Sequence, residues 1–189
     1  MIQIGINPLW LGLFYALSEI TISTVMRAKR DSRGADKGSL RLIWLVINIS
    51  MISAMLVALF LPYGYWAGGK ILYWSGFALF AFGLALRWYS IAYLGKFFTV
   101  HVAVASDQTV IDTGPYKFVR HPSYTGSLTA FLGLGLCLAN VIALAVIMIP
   151  ITAVFFHRIR IEEQALQAGL GDAYKNYMVR TKRLVPFVY

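Results

Sequence analysis

Five apolar runs divide this chain and constrain its fold more than any other feature. Pro8 to Met26, Leu42 to Leu61 and Ile71 to Leu94 each meet the requirement of about 20 residues for a helix that crosses the hydrocarbon core of a bilayer. Two shorter runs, Tyr124 to Ala139 and Val141 to Phe156, are separated only by Asn140, which tolerates turn conformations well. They predict a tight helical hairpin barely long enough to span, its second arm kinked at Pro150. A chain of 189 residues that is 59% hydrophobic and 13% charged cannot hide this surface in one water-soluble core. The expectation is an all-α integral membrane protein with five transmembrane helices. It forms a single membrane domain over residues 1–189, with two N-terminal helices in 1–69 and the rest of the bundle in 70–189.

The basic residues agree with that topology. The first loop holds Arg27, Lys29, Arg30, Arg33, Lys37 and Arg41, the second only Lys70, the third Lys96, Lys117 and Arg120, and the fourth none. The positive-inside rule then puts the N-terminus outside and the C-terminal tail in the cytoplasm, in an inner membrane if the cell is prokaryotic. Tyr63, Tyr65, Trp66, Tyr73 and Trp74 surround the second loop as an outer aromatic belt. The net charge of +9 is thereby explained by topology, not by a nucleic-acid partner. The opening MIQIGINPLW has no basic n-region or cleavage site and reads as mature sequence. The single Cys137 lies in an apolar run and reads as a buried structural thiol; no metal site is expected.

Polar residues outside the simple loop charges gather in two stretches on the expected cytoplasmic side. Lys96 to Tyr124 alternates briefly through Thr99-Val100-His101-Val102-Ala103 and reads as an extended, hairpin-like connector with turns. It ends in Arg120-His121-Pro122-Ser123-Tyr124-Thr125-Gly126, where Pro122 suits the start of the fourth helix. His157 to Tyr177 continues the fifth helix out of the membrane and puts Arg158 and Glu162 on one face, as a solvated ion pair or as part of a site. Two charges fall within the apolar runs: Glu19 lies seven residues before Met26, and Arg87 seven before Leu94. Intramembrane charges are costly and functional by default. Their equal depth leaves two readings open, a pair between the helices that fixes Arg87 at the inner edge of the acceptor cavity, or separate snorkelling to the interface.

An ordered set of segments resembles the isoprenylcysteine carboxyl methyltransferase family. It comprises Arg87, Leu94-Gly95, Gly114-Pro115-Tyr116, Arg120 to Gly126, Arg158-x-x-x-Glu162-Glu163, Gly171-Asp172-x-Tyr174-x-x-Tyr177 and Arg183-Leu184-x-Pro186, and covers roughly residues 85 to 189. The resemblance implies that 70–189 is a catalytic methyltransferase region. Its S-adenosylmethionine pocket, which S-adenosylhomocysteine leaves as product, would face the cytoplasm and be formed by the loop after helix 3, the helix 4–5 hairpin and the C-terminal tail. It also implies a lipophilic acceptor arriving laterally from the bilayer, with no obligatory protein partner. Carried over by position, the cofactor residues are His101, Gln108, Thr109, Val110, Ile111, Tyr116, His121, Pro122, Ser123, Tyr124 and Glu162. Arg158 and Arg87 would serve catalysis on the acceptor side.

The residue types suit that chemistry. A carboxylate such as Glu162 can pair with cationic groups of the cofactor, and Arg158 can hold an acceptor carboxylate in a bidentate fork. A carboxylate is ionised at neutral pH and needs no general base. The expected reaction is carboxyl O-methylation of an isoprenylcysteine-like substrate. Two alternatives stay open: a methyltransferase acting on a phospholipid or other amphiphile, for which His121 or Tyr124 could act as base, and a sterol-type NADPH-dependent membrane reductase, suggested by Arg120-His121-Pro122-Ser123-Tyr124 and the terminal Val185 to Tyr189. A channel would need polar residues at mid-membrane along several helices, which the runs do not supply.

Overall fold

The computed structural model describes residues 6–25, 38–61, 63–66, 69–99, 104 and 107–186. Six helices follow in order: α1 (Pro8–Val25), α2 (Ser39–Phe60), α3 (Gly69–Leu94), α4 (Pro122–Cys137), α5 (Val141–Leu170) and α6 (Asp172–Arg180). Among the described residues there is no strand, only two isolated bridges, Tyr65 with Asn140 and Val119 with Lys182. Three helical segments, Ser39–Phe60, Gly69–Phe97 and Val141–Leu170, are long and apolar enough to cross a membrane. The 18 described residues of α1 and the 16 of α4 make shorter rods.

The outward faces are apolar. Leu13, Phe14 and Leu17 on α1, Leu45, Ile49 and Ile52 on α2 and Phe82 on α3 are all exposed, as a lipid-facing surface requires. In such a solvent, apolar burial gives little drive for helices to associate, so close packing must supply it. The α3–α4 contact does so through glycine. A Cβ at Gly76 would stand 2.7 Å from the Gly133 carbonyl oxygen, and one at Gly126 2.6 Å from the Arg87 amide nitrogen. Gly83 likewise faces the backbone of Gly126 and Ala130. The two backbones touch along most of α4. α2 packs instead on α5, and Ile43, Ile47, Ala54, Phe131, Ile147, Ile151 and Phe155 join in one buried cluster.

The α4–α5 turn differs from the expected one. Ala139, not Asn140, takes the left-handed conformation, at φ 51°. Asn140 is extended and caps α5: its Oδ1 accepts from the amides of Ile142 and Ala143 at 3.0 Å, and its Nδ2 donates to the Tyr63 carbonyl at 2.9 Å. An amide side chain serves both ends of that arrangement, which a turn propensity alone does not reveal. α5 then runs unbroken through Pro150 to Leu170, well beyond Phe156.

The connector after α3 is not a hairpin where it is described. It begins and ends in short 3-10 turns, Gly95–Phe97 and Gly114–Lys117, and residues 108–112 have no regular pairing. Its partners lie elsewhere: Lys96 pairs with Asp107 at 2.7 Å, and Arg180 of α6 with Asp112 at 3.2 Å. The alternating segment itself, after Thr99, lies outside the described residues.

The glycine contact is testable. Gly133→Val or Gly83→Leu should force α3 and α4 apart and lower the thermal unfolding midpoint in detergent sharply, by the equivalent of roughly 3 kcal/mol or more. Gly38→Ala meets no neighbour and carries only the strain of its left-handed backbone at φ 78°, about 1–2 kcal/mol, so it should cost less.

Candidate functional site

α5 carries the polar residues of the site because it stays helical past its apolar run. Arg158 and Glu162 lie about one turn apart, with Glu163 next to Glu162, and Arg158 and Glu163 are buried. Arg158 Nη1 donates to the Ser39 hydroxyl at the start of α2. Glu162 Oε2 accepts from the Tyr124 hydroxyl at 3.1 Å. Glu163 is the centre of a knot: Arg120 Nε and Arg183 Nε donate to it at 2.9 Å each, and His121 Nε2 stands 3.3 Å away.

Two clefts meet at these residues. The interhelical cleft, enclosing about 880 Å³ of space partly open to its surroundings, lies among α1 to α5. Ile22, Ile43, Trp44 and Ile47 make its apolar side, and Glu19, Arg87, Ser123, Tyr124 and Arg158 its polar side. The terminal cavity, about 720 Å³ measured the same way, lies between the connector, the end of α5 and α6. Gln108, Thr109, Val110 and Ile111 form one wall, and Leu166, Leu170, Tyr174 and Tyr177 the other. Tyr116, Arg120, His121, Arg158 and Glu162 border both clefts.

Most residues singled out from the sequence therefore converge. Gln108 to Ile111, Tyr116, His121 and Glu162 line the terminal cavity. Ser123 and Tyr124 line the interhelical cleft instead, and Pro122 is buried at the first turn of α4 beside neither. His101 lies outside the described residues. Arg158 borders both spaces. Arg87 reaches the interhelical cleft already engaged: its Nε and Nη2 grip the two Glu19 oxygens, the latter contact at 2.5 Å, while Nη1 stands 3.4 Å from the Ser123 carbonyl. Of the two readings that equal depth left open, the structure shows the pair.

The sequence reading gave no role to Glu163, Arg120 or Arg183, although all three stand in the motifs quoted above. A signal was present: two adjacent acids on one helix cannot both face the same cleft. Tyr174 and Tyr177, one helical turn apart, are also buried cavity walls. Burial first, then the nearby Glu162 and Tyr177, pushes the Tyr116 phenol above its ordinary range; burial followed by Glu163 and Glu162 does the same to Tyr174. Both remain neutral around pH 7. Tyr116 donates to the Ser90 carbonyl at 3.1 Å, and Tyr177 donates to the Tyr116 carbonyl at 2.6 Å, joining α3, the connector and α6.

Residues 76–168 match the family model of the isoprenylcysteine carboxyl methyltransferase (ICMT) family. Over that segment, 93 of its 189 residues, the chain is similar to the ICMT family. Protein-S-isoprenylcysteine O-methyltransferase B of Arabidopsis thaliana is 26% identical over 179 residues, covering 92% of this chain and 82% of the relative. The Saccharomyces cerevisiae protein-S-isoprenylcysteine O-methyltransferase is 32% identical over 83 residues, which are 44% of this chain and 35% of that one. A solved structure of the eukaryotic intramembrane Ras methyltransferase ICMT superimposes with a TM-score of 0.67 at 22% identity, over 93% of this chain. The chain spans 63% of that ICMT structure's length, and the likeness shows a shared fold. Likeness to a methyltransferase family points to a methyl donor.

Two measurements probe the site. In the Glu19–Arg87 pair, Glu19→Gln or Arg87→Gln alone leaves a buried partner uncompensated and should cost about 3–5 kcal/mol. The double variant should lose less than the sum, a coupling of about 1–3 kcal/mol in unfolding measurements in detergent. At Gly169, an added Cβ would lie 2.7 Å from Val104 Cγ1, so Gly169→Val should displace the connector from the end of α5. Binding of a ligand to the terminal cavity should weaken about tenfold or more, with little change in unfolding temperature.

Proposed function

We propose that this chain is an S-adenosylmethionine-dependent methyltransferase that methylates the carboxylate of a lipophilic, isoprenylcysteine-like acceptor entering from the bilayer. The observation that carries the reading is the shared partition. Arg158 and Glu162 border both a cleft among the membrane helices and a cavity beside the C-terminal segment. Two reactants from different media can meet only where two such spaces adjoin. In this reading all five helices α1 to α5 cross the membrane, with the N-terminus outside and the terminal cavity on the cytoplasmic side. The distribution of Lys and Arg among the loops supports that orientation.

The residues of the terminal cavity fit the donor. Glu162 offers a carboxylate for its cationic groups, Val110, Ile111, Leu166 and Leu170 an apolar bed for an adenine ring, and Gln108 and Thr109 polar side chains for a ribose. When bound, S-adenosylmethionine supplies an electrophilic methyl carbon on a sulfonium. Arg158 then orients the acceptor carboxylate toward the partition by charge-assisted hydrogen bonds. Tyr124 holds Glu162 through their 3.1 Å contact and fixes where its negative charge sits. The helices exclude water, which strengthens both electrostatic contacts. The acceptor oxygen is already ionised, so no residue has to remove a proton. Glu19, by occupying Arg87, leaves Arg158 to receive the acceptor anion.

Calorimetric titration of detergent-purified protein tests this. S-adenosylhomocysteine should bind and NADPH should not; tight NADPH binding without the former would replace this reading with a reductase. Glu162→Ala should abolish S-adenosylhomocysteine binding. Arg158→Ala should retain it while lowering kcat/KM for a farnesylcysteine acceptor about 10- to 100-fold. Methylation of phosphatidylethanolamine in place of farnesylcysteine would overturn the acceptor assignment alone.

A further inference from the structure

Among the described residues, the group most heavily bonded without lining either cleft is the Glu163 carboxylate. Its side chain is only 2% exposed. Oε1 faces Arg120 Nε at 2.9 Å and His121 Nε2 at 3.3 Å, and Oε2 faces Arg183 Nη2 at 2.8 Å. Its partners come from two separated segments: Arg120 and His121 precede α4, and Arg183 follows α6.

Those segments are also stitched together by backbone. The amides of Arg120 and His121 donate to the carbonyls of Lys182 and Arg183 at 2.8 and 3.0 Å. Thr125 Oγ1 donates to the Leu184 carbonyl at 2.8 Å, and Arg120 Nη1 to the carbonyls of Met178, at 3.2 Å, and Thr181. The terminal segment therefore lies across the entrance to α4, and α6 is held with Tyr174 and Tyr177 against the terminal cavity.

A buried carboxylate with two guanidinium groups is a poor way to gain stability, because desolvation offsets much of the attraction. Apolar residues of similar volume would hold the same elements together as well. What the charges supply is fixed position: one acid sets the orientation of Arg120 and His121 on the partition and closes the segment that forms the cavity wall.

We propose that Glu163 is a positioning residue that latches residues 172–186 across the terminal cavity and sets the affinity for the methyl donor without touching it. The proposal rests on the donor reading above. Without the Glu163 charge, Arg120 and Arg183 repel each other across the latch, the segment opens, and the donor escapes faster. Catalysis at saturating donor is preserved because Arg158, the residue assigned to the acceptor carboxylate, is held by Ser39 of α2.

The test uses the full-length protein in detergent, with wild type, Glu163→Gln, Arg183→Gln, and the double variant. S-adenosylhomocysteine affinity is measured by calorimetry, and tail opening by tryptic cleavage after Lys182 and Arg183 or, in the Arg183 variants, after Lys182 alone. Glu163→Gln should raise the Kd about tenfold or more and speed cleavage, with kcat at saturating donor within about twofold of wild type. The double variant, relieved of one uncompensated cation, should recover part of the affinity. Wild-type affinity in Glu163→Gln would overturn the proposal, as would weakened binding with an equally protected tail, or parallel losses of kcat and thermal stability at unchanged Kd. If Glu163→Gln does not fold, Arg183→Gln decides by the same readouts, since it removes a half-exposed arm of the latch. If wild type binds no S-adenosylhomocysteine, the donor reading fails, and unchanged cleavage would then sink the latch separately.

Discussion

The backbone-to-backbone contact of α3 and α4 is the constraint on which the rest depends. Glycine at positions 76, 83, 126 and 133 lets the two helices approach until backbone atoms meet, so α4 has one position along α3 and one only. That position sets Arg87 beside Ser123 and brings the start of α4 to the end of α3. Everything polar near the partition is measured from it: the Tyr124 contact to Glu162, the Tyr116 contact to Ser90, and the path of the terminal segment past Arg120. A looser contact, with side chains between the helices, would allow small rotations that a hydrogen-bonded site cannot absorb.

The spans were legible because hydrophobicity repeats over lengths that only a bilayer explains. α2, α3 and α5 start close to the apolar runs, while the equal depth of Glu19 and Arg87 allowed a pair without deciding it. The loops were less legible. The cap at Asn140 depends on Tyr63, 77 positions away. Which residue of the adjacent acids Glu162 and Glu163 faces a cleft is decided by about 100° of helical rotation, which a motif does not encode. The split of the candidate cofactor residues between two clefts has the same origin: Ser123 and Tyr124 follow His121 directly, but the turn into α4 sends them to the other side.

The molecule places opposite demands on its charges within a short distance. In the interhelical cleft Glu19 and Arg87 satisfy each other, and in the knot Glu163 satisfies Arg120 and Arg183, so both sites carry strong local fields. At the connector, Lys96 with Asp107 and Arg180 with Asp112 are exposed and contribute little to stability. Tight pairs thus stand where water is scarce and weak ones where the chain must let a ligand in.

The continuity of α5 has a consequence for which changes of length the chain can accept. One helix is capped by Asn140 at its start and carries Arg158, Glu162 and Glu163 in its second half, with no loop between them. A single residue inserted or deleted between Asn140 and Arg158 would turn those three side chains by about 100° and slide them about 1.5 Å, exchanging inward for outward. Substitution along the lipid-facing side of this stretch is cheap, while its length is quantised.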